Sequence, residues 1–255
     1  MRPALAAALA LAACSPRGEP KVRIAAAADL ARAFTELAGE FKARTGVTLE
    51  LELGSSGLLA KQIEQGAPFA LFAAANRAYV DQVVAAGRCD AASARPYAHG
   101  QLVVWTPPGV ARPDKLADLV DPRFHKIAIA NPAHAPYGRA AREVLERAGL
   151  WAQLEDRIVL GDNVQATMLY AREHNADVAI IARSLAVVTD GGAALPIDPA
   201  LHAPLEQVLV VCGHGKDAEA AARFAAFVGS PDGREVMTRY GFVLPEDRVR
   251  TSPAR

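Results

Sequence analysis

Residues 21–66 read KVRIAAAADLARAFTELAGEFKARTGVTLELELGSSGLLAKQIEQG. The run 21–27 is short and apolar and reads as a strand. Leu30, Phe34, Leu37 and Phe41 then recur at spacings of four, three and four, one face of a 3.6-residue period. That predicts a helix over 29–45, stopped by Gly46. Leu49, Leu51 and Leu53 alternate with Glu50 and Glu52, the pattern of a half-buried strand. Gly54-Ser55-Ser56-Gly57 turns the chain into a helix over 58–65, ended by Gly66. Strands separated by single helices imply parallel βαβ units with right-handed crossovers.

The alternation continues outward. Strand 69–74 precedes a helix through 79–86, and strand 101–106 runs into Pro107-Pro108-Gly109. A second block follows: strand 126–130, helix 138–148, strand 158–160, helix 165–174 and strand 177–182. A late strand, 207–212, and two helices, 218–228 and 232–240, close the chain. Two α/β blocks with a late strand left over predict two lobes, the chain crossing over and returning.

Composition narrows the function. With 28 Lys+Arg against 28 Asp+Glu the net charge is zero, so nucleic acid is not sought through a bulk basic field. At 51% hydrophobic residues the 255-residue chain is not disordered in character, and 6% aromatics offer no evident stacking surface. No apolar run reaches the roughly 18–20 residues of a membrane span. The N-terminus reads as an export signal: Arg2, an Ala/Leu core over 4–13, then Leu11-Ala12-Ala13-Cys14 and a polar tether to residue 20. Exported, Cys89 and Cys212 meet an oxidising compartment, where a disulfide and two free thiols are both open.

Four strand–turn–helix junctions carry small or hydroxyl residues: Ala27-Ala28-Asp29, Gly54-Ser55-Ser56-Gly57, Ala135-Pro136-Tyr137-Gly138 and Asp162-Asn163-Val164. A helix start presents unpaired N–H groups and the positive end of a dipole. Several aimed at one cleft would bind an oxyanion without Arg or Lys; ordinary capping by Asp and Ser is the alternative. Enzyme signatures are poor. The Ser-Ser turn is neither a Gly-x-Ser-x-Gly elbow nor a phosphate loop, and the six histidines lack zinc-ligand spacing. Trp105 and Trp151 read as core or lobe-surface residues, and Arg139 with Arg142 as a solvated helix face.

The same junctions resemble those of periplasmic molybdate-binding proteins of ABC transporters. The resemblance rests on Ile24-Ala-Ala-Ala-Ala-Asp-Leu30, on Gly54-Ser-Ser-Gly-Leu-Leu-Ala-Lys-Gln-Ile-Glu-Gln-Gly-Ala-Pro68, on Ala130-Asn-Pro-Ala-His-Ala-Pro-Tyr-Gly-Arg-Ala-Ala141 and on Arg239-Tyr-Gly-Phe242. It implies an α/β, two-lobed periplasmic-binding-protein fold of type II, each lobe a mostly parallel sheet flanked by helices. Segments 21–100 and 207–255 would form one lobe and 101–206 the other. It implies a non-enzymatic, monomeric protein, without cofactor or nucleic-acid partner, that binds molybdate or tungstate for an ABC permease. The implied ligands are Ala28, Asp29, Ser56, Tyr137 N–H and Val164 N–H, with Ser55 shaping the turn. Leu-Ala-Ala-Cys14 resembles a lipobox, implying signal peptide 1–13, lipidation of Cys14, tether 14–20 and membrane contact only through the lipid. Departures are local. The family's first-loop serine is replaced by Ala28 or Asp29, its Asp-x-Phe-x-Ser-Ala-Asp strand reads Ala70-Leu-Phe-Ala-Ala-Ala-Asn76, and Ala182 falls where some members place a tyrosine. The same fold with another oxyanion or a small organic acid, a hydrolase using Ser56, and a scaffold with a vestigial cleft are the competing readings.

Overall fold

Burial of the apolar faces builds the elements that the periodicities predict. The structure is a computed structural model that describes residues 21–246. The signal segment 1–13, Cys14 and the tether 14–20 lie outside the described residues, as does 247–255. The chain lays down β1 (Lys21–Ala27), α1 (Ala31–Thr45), β2 (Thr48–Gly54), α2 (Ser56–Glu64), β3 (Leu71–Ala74), α3 (Arg77–Ala85) and β4 (Arg95–His99). It then passes through β5 (Leu102–Thr106), β6 (Ile127–Ala130), α4 (Pro136–Arg147), α5 (Trp151–Leu154), β7 (Ile158–Gly161), α6 (Val164–Arg172), β8 (Val178–Ala182), α7 (Arg183–Ala186) and β9 (Ala193–Pro196). It returns with β10 (Glu206–Val211), α8 (Gly215–Val228) and α9 (Pro231–Arg239).

Two five-stranded sheets result, ordered β2-β1-β3-β10-β4 and β7-β6-β8-β5-β9. Both follow one plan. Three strands joined by helices lie parallel, and the strand that carries the chain between lobes lies antiparallel beside them: β10 on β3, β5 on β8. The expected mostly parallel sheets are therefore mixed, because only strands linked by a helical crossover must run in the same direction. The edge strands β4 and β9 pair antiparallel with β10 and β5 in turn.

Helix α1 shows how the core forms. Phe34, Leu37 and Phe41 are buried, each worth about 1.5–3 kcal/mol of apolar burial. Phe34 and Phe41 meet the Phe224 ring of α8 edge-on, at centroid distances of 5.5 and 5.4 Å. Gly46, at φ 73°, closes the helix by donating its N–H to the Lys42 carbonyl. Among the described residues no helix is long and apolar enough to cross a membrane.

The chain crosses between sheets at Gly100-Gln101 and returns before Glu206. The two passages are tied together, Gly100 N–H donating to the Leu205 carbonyl and Ile197 N–H to that of Leu102. The carboxyl ends of β1, β2, β6 and β7, and the helix starts that follow them, converge there. This is the edge at which open α/β sheets bind ligands.

Candidate functional site

Each helix start leaves a particular donor free. In α2, Ser55 is the N-cap and Ser56 the first helical residue, and the Ser55 side chain caps nothing. Ser56 Oγ accepts the Ala75 N–H at 3.0 Å, so its hydroxyl hydrogen remains to be donated. In α4, Pro136 has no N–H, which makes that of Tyr137 the first donor of the helix. In α6, Asn163 Oδ1 accepts from Gln165 and Ala166, both at 3.0 Å, and leaves the Val164 N–H untaken. A 3-10 turn, Ala28–Leu30, leads into α1.

Ala28, Asp29, Ser55, Ser56, Tyr137 and Val164 all line one cavity of about 210 Å³, part of it open to solvent. The rest of the wall is uncharged: Ala27, Gly54, Ala75, Ala135 and Pro136 are small or apolar, and Asn163 is polar. Among the described residues no basic side chain reaches it, and Asp29 is its one ionisable carboxyl.

Asp29 does not cap its helix. Its carboxylate, 1% exposed, turns inward, where Oδ2 accepts from Tyr137 Oη at 2.9 Å and from Gln207 Nε2 at 2.6 Å. Tyr97 Oη donates to Gln207 Oε1 at 2.9 Å and so orients the amide with its nitrogen toward Asp29. Ser184 Oγ donates to the Asp29 carbonyl at 2.9 Å. Asp29 Oδ1 is buried without a hydrogen-bond partner among the described residues. Burial pushes the Asp29 carboxyl up to about 6, against the lowering effect of its hydrogen bonds. Burial, aided by the Asp29 charge, drives the Tyr97 and Tyr137 phenols well above their usual range. Both phenols therefore keep their protons and act as donors.

The α2 start is also held across the cleft. The His134 carbonyl accepts from Ser55 Oγ at 2.6 Å, Gly57 N–H at 3.0 Å and Tyr79 Oη at 3.2 Å. A Cβ on Gly57 would stand 2.7 Å from that carbonyl oxygen and from Tyr79 Oη, so the close approach requires glycine. His134 Nδ1 lies 2.8 Å from Ser55 Oγ. With its hydrogen given to the carbonyl, Ser55 can only accept here, and Nδ1 carries the proton. The pair is a structural latch, not a nucleophile with its base. Arg139 and Arg142 are exposed on α4, the solvated face expected of them, where Arg139 lies 5.0 Å over the Tyr79 ring and Arg142 stacks on Trp151 at 4.8 Å. Trp105 is core.

Gln207 and Tyr97 are the site residues not singled out from sequence, whereas Asn163 belongs to the Asp162-Asn163-Val164 junction read there. Gln207 had a signal: a lone amide heading an otherwise apolar strand, and here fully buried. Among the described residues no group of three or more His, Cys, Asp or Glu is placed to hold a metal ion.

The family model of bacterial extracellular solute-binding proteins matches residues 22–243. The molybdate-binding protein ModA of Rhodobacter capsulatus is 32% identical over 240 residues, 94% of this chain and 95% of that protein. The putative ABC transporter substrate-binding lipoprotein YvgL of Bacillus subtilis is 28% identical over 249 residues, 94% and 95% of the two chains. Among solved structures, the periplasmic molybdate-binding protein of Azotobacter vinelandii superposes with a TM-score of 0.82 at 27% identity, covering 88% of this chain and 99% of its own.

Proposed function

The chain belongs to the bacterial extracellular solute-binding proteins, and from that premise we propose that it captures a tetrahedral oxyanion, molybdate or tungstate, for the permease of an ABC transporter. It is a binding protein, not an enzyme. The carrying observation is the cavity itself: helix starts bearing free N–H groups, and the Ser56 hydroxyl, around a space with no cation. Charge-assisted hydrogen bonds of about 1.5–3 kcal/mol each replace the hydration of the anion.

In this reading Ala28, Asp29, Ser56, Tyr137 and Val164 meet the anion, and Ser55 shapes the turn and ties it to His134. Among the described residues, segments 21–100 and 207–246 form one lobe and 101–206 the other, and they close by bending at the two crossing passages. Size selects against sulfate, which offers the same acceptors. The mature protein is a monomer in the periplasm or at the cell surface, anchored through a lipid on Cys14; a Cys14→Ala variant that still sediments with membranes counts against the anchor. Titration calorimetry of the mature chain against molybdate, tungstate, sulfate and phosphate tests the ligand. Heat with molybdate or tungstate and none with sulfate is expected. Silence with all four overturns the reading.

A further inference from the structure

The oxyanion cavity contains a feature that an anion site should exclude, a buried carboxyl. Asp29 lines the cavity with one oxygen, Oδ2, held by two donors and the other, Oδ1, buried and unpartnered among the described residues. Both donors are fixed from elsewhere in the fold, Gln207 by Tyr97 and Tyr137 by its place in α4. Thus the carboxyl cannot swing away without abandoning two buried hydrogen bonds. An anion oxygen beside an ionised Oδ1 would set two acceptors against each other with no hydrogen between them.

We propose that the bound complex holds one proton between Asp29 Oδ1 and an oxygen of the anion, so that Asp29 sorts oxyanions by where that proton comes from. This rests on the oxyanion reading above. A fully deprotonated dianion such as molybdate or tungstate brings no proton. Asp29 then takes one from solvent, and the carboxylic O–H donates to the anion as the family's serine hydroxyl would. Hydrogenphosphate brings its own proton, and its O–H donates to the ionised carboxylate. In both cases one proton lies between the two oxygens and no covalent bond of the ligand changes.

The surroundings leave Asp29 as the group that titrates. Tyr137 from α4 and Tyr97 from β4 are phenols held protonated by burial. Gln207 from β10, Ser184 from α7, Ser55 and Ser56 from α2 and Asn163 from α6 are uncharged. Among the described residues no Lys, Arg or His lines the cavity to offset a second negative charge. Burial already brings the carboxyl to about 6, within reach of neutral pH.

The test is titration calorimetry of the mature protein with molybdate and with phosphate, from about pH 6 to about pH 8.5, in two buffers of different ionisation enthalpy, which counts protons taken up. For molybdate the parent takes up about one proton at the upper end, and affinity falls about tenfold per pH unit above about pH 6. Asp29→Asn keeps an oxygen for Tyr137 and Gln207 and presents an amide N–H where the acid hydroxyl stood. It binds molybdate without proton uptake and with a flat pH profile. Molybdate bound by the parent with no uptake and a flat profile overturns the proposal and leaves the oxyanion reading standing, as does one pH slope common to parent and Asp29→Asn. Phosphate bound tightly at about pH 8 without proton uptake, with molybdate weak, upholds the shared proton and overturns the molybdate reading. No heat with either anion from parent or variant overturns both.

Discussion

Ser56 divides its hydroxyl between fold and ligand: the oxygen accepts Ala75 N–H, and the hydrogen is left for the cleft. Ser56→Ala removes the donor and unpairs the Ala75 N–H. We expect molybdate affinity to drop by about 1–3 kcal/mol in calorimetry, with the circular dichroism of the native fold retained. Unchanged affinity would remove Ser56 from the site. Asp29 predicts a stability effect independent of any ligand. Burial lifts its carboxyl from the ordinary 3.8 to about 6, so the folded chain binds the proton more tightly than the unfolded one. The stability linked to that proton is full below about pH 3.8 and is lost as pH rises through about 6, a difference of about 3 kcal/mol. Asp29→Asn should therefore raise the urea-unfolding free energy at pH 7.5 by up to about that amount, and the gain should vanish near pH 4. A variant no more stable than the parent at pH 7.5 would mean that the charged carboxylate is accommodated without cost.

At the scale of elements, the helix starts were legible because capping chemistry is local. Asn163 before Val164 marks the start of α6, and the structure gives it two N–H groups to hold. Asn163→Ala should cost about 0.5–2 kcal/mol in unfolding free energy. It should also weaken anion binding, because the freed first turn no longer fixes the Val164 N–H. Full stability with the cap removed would show that packing alone holds the turn. Asp29 precedes α1 in the same way, yet its carboxylate goes to Tyr137 and Gln207, which are 108 and 178 residues away. No local pattern carries that choice. Strands β4 and β9 were illegible for a related reason. Arg95-Pro96 opens the first, and Ala193-Ala194 opens the second. Neither carries the β-branched alternation of a strand, and both are edges held by pairing with β10 and β5.

At the scale of the molecule, alternation announced two α/β blocks, but neighbours within a sheet depend on contacts that no window of sequence contains. The return strand β10 shows this most plainly. It runs antiparallel between β3 and β4, with Gln207 at its cleft end and Cys212 just beyond its far end. There Cys212 forms a disulfide with Cys89 across 123 residues of sequence, which settles the alternatives that the sequence left open. Five residues of strand put Cys212 roughly 17 Å from Gln207 at about 3.3–3.4 Å per residue, so the bond supports the lobe without touching the anion. Closing so long a loop restricts the unfolded chain and stabilises the fold by about 2–4 kcal/mol. The double variant Cys89→Ser, Cys212→Ser should lose about that much in urea unfolding and keep the parent's molybdate affinity and pH profile. A variant that unfolds at the parent's urea midpoint would show that the paired strands already hold the return passage. One that loses anion affinity while still folded would show that strain at the far end of β10 reaches Gln207, and through it the carboxyl of Asp29.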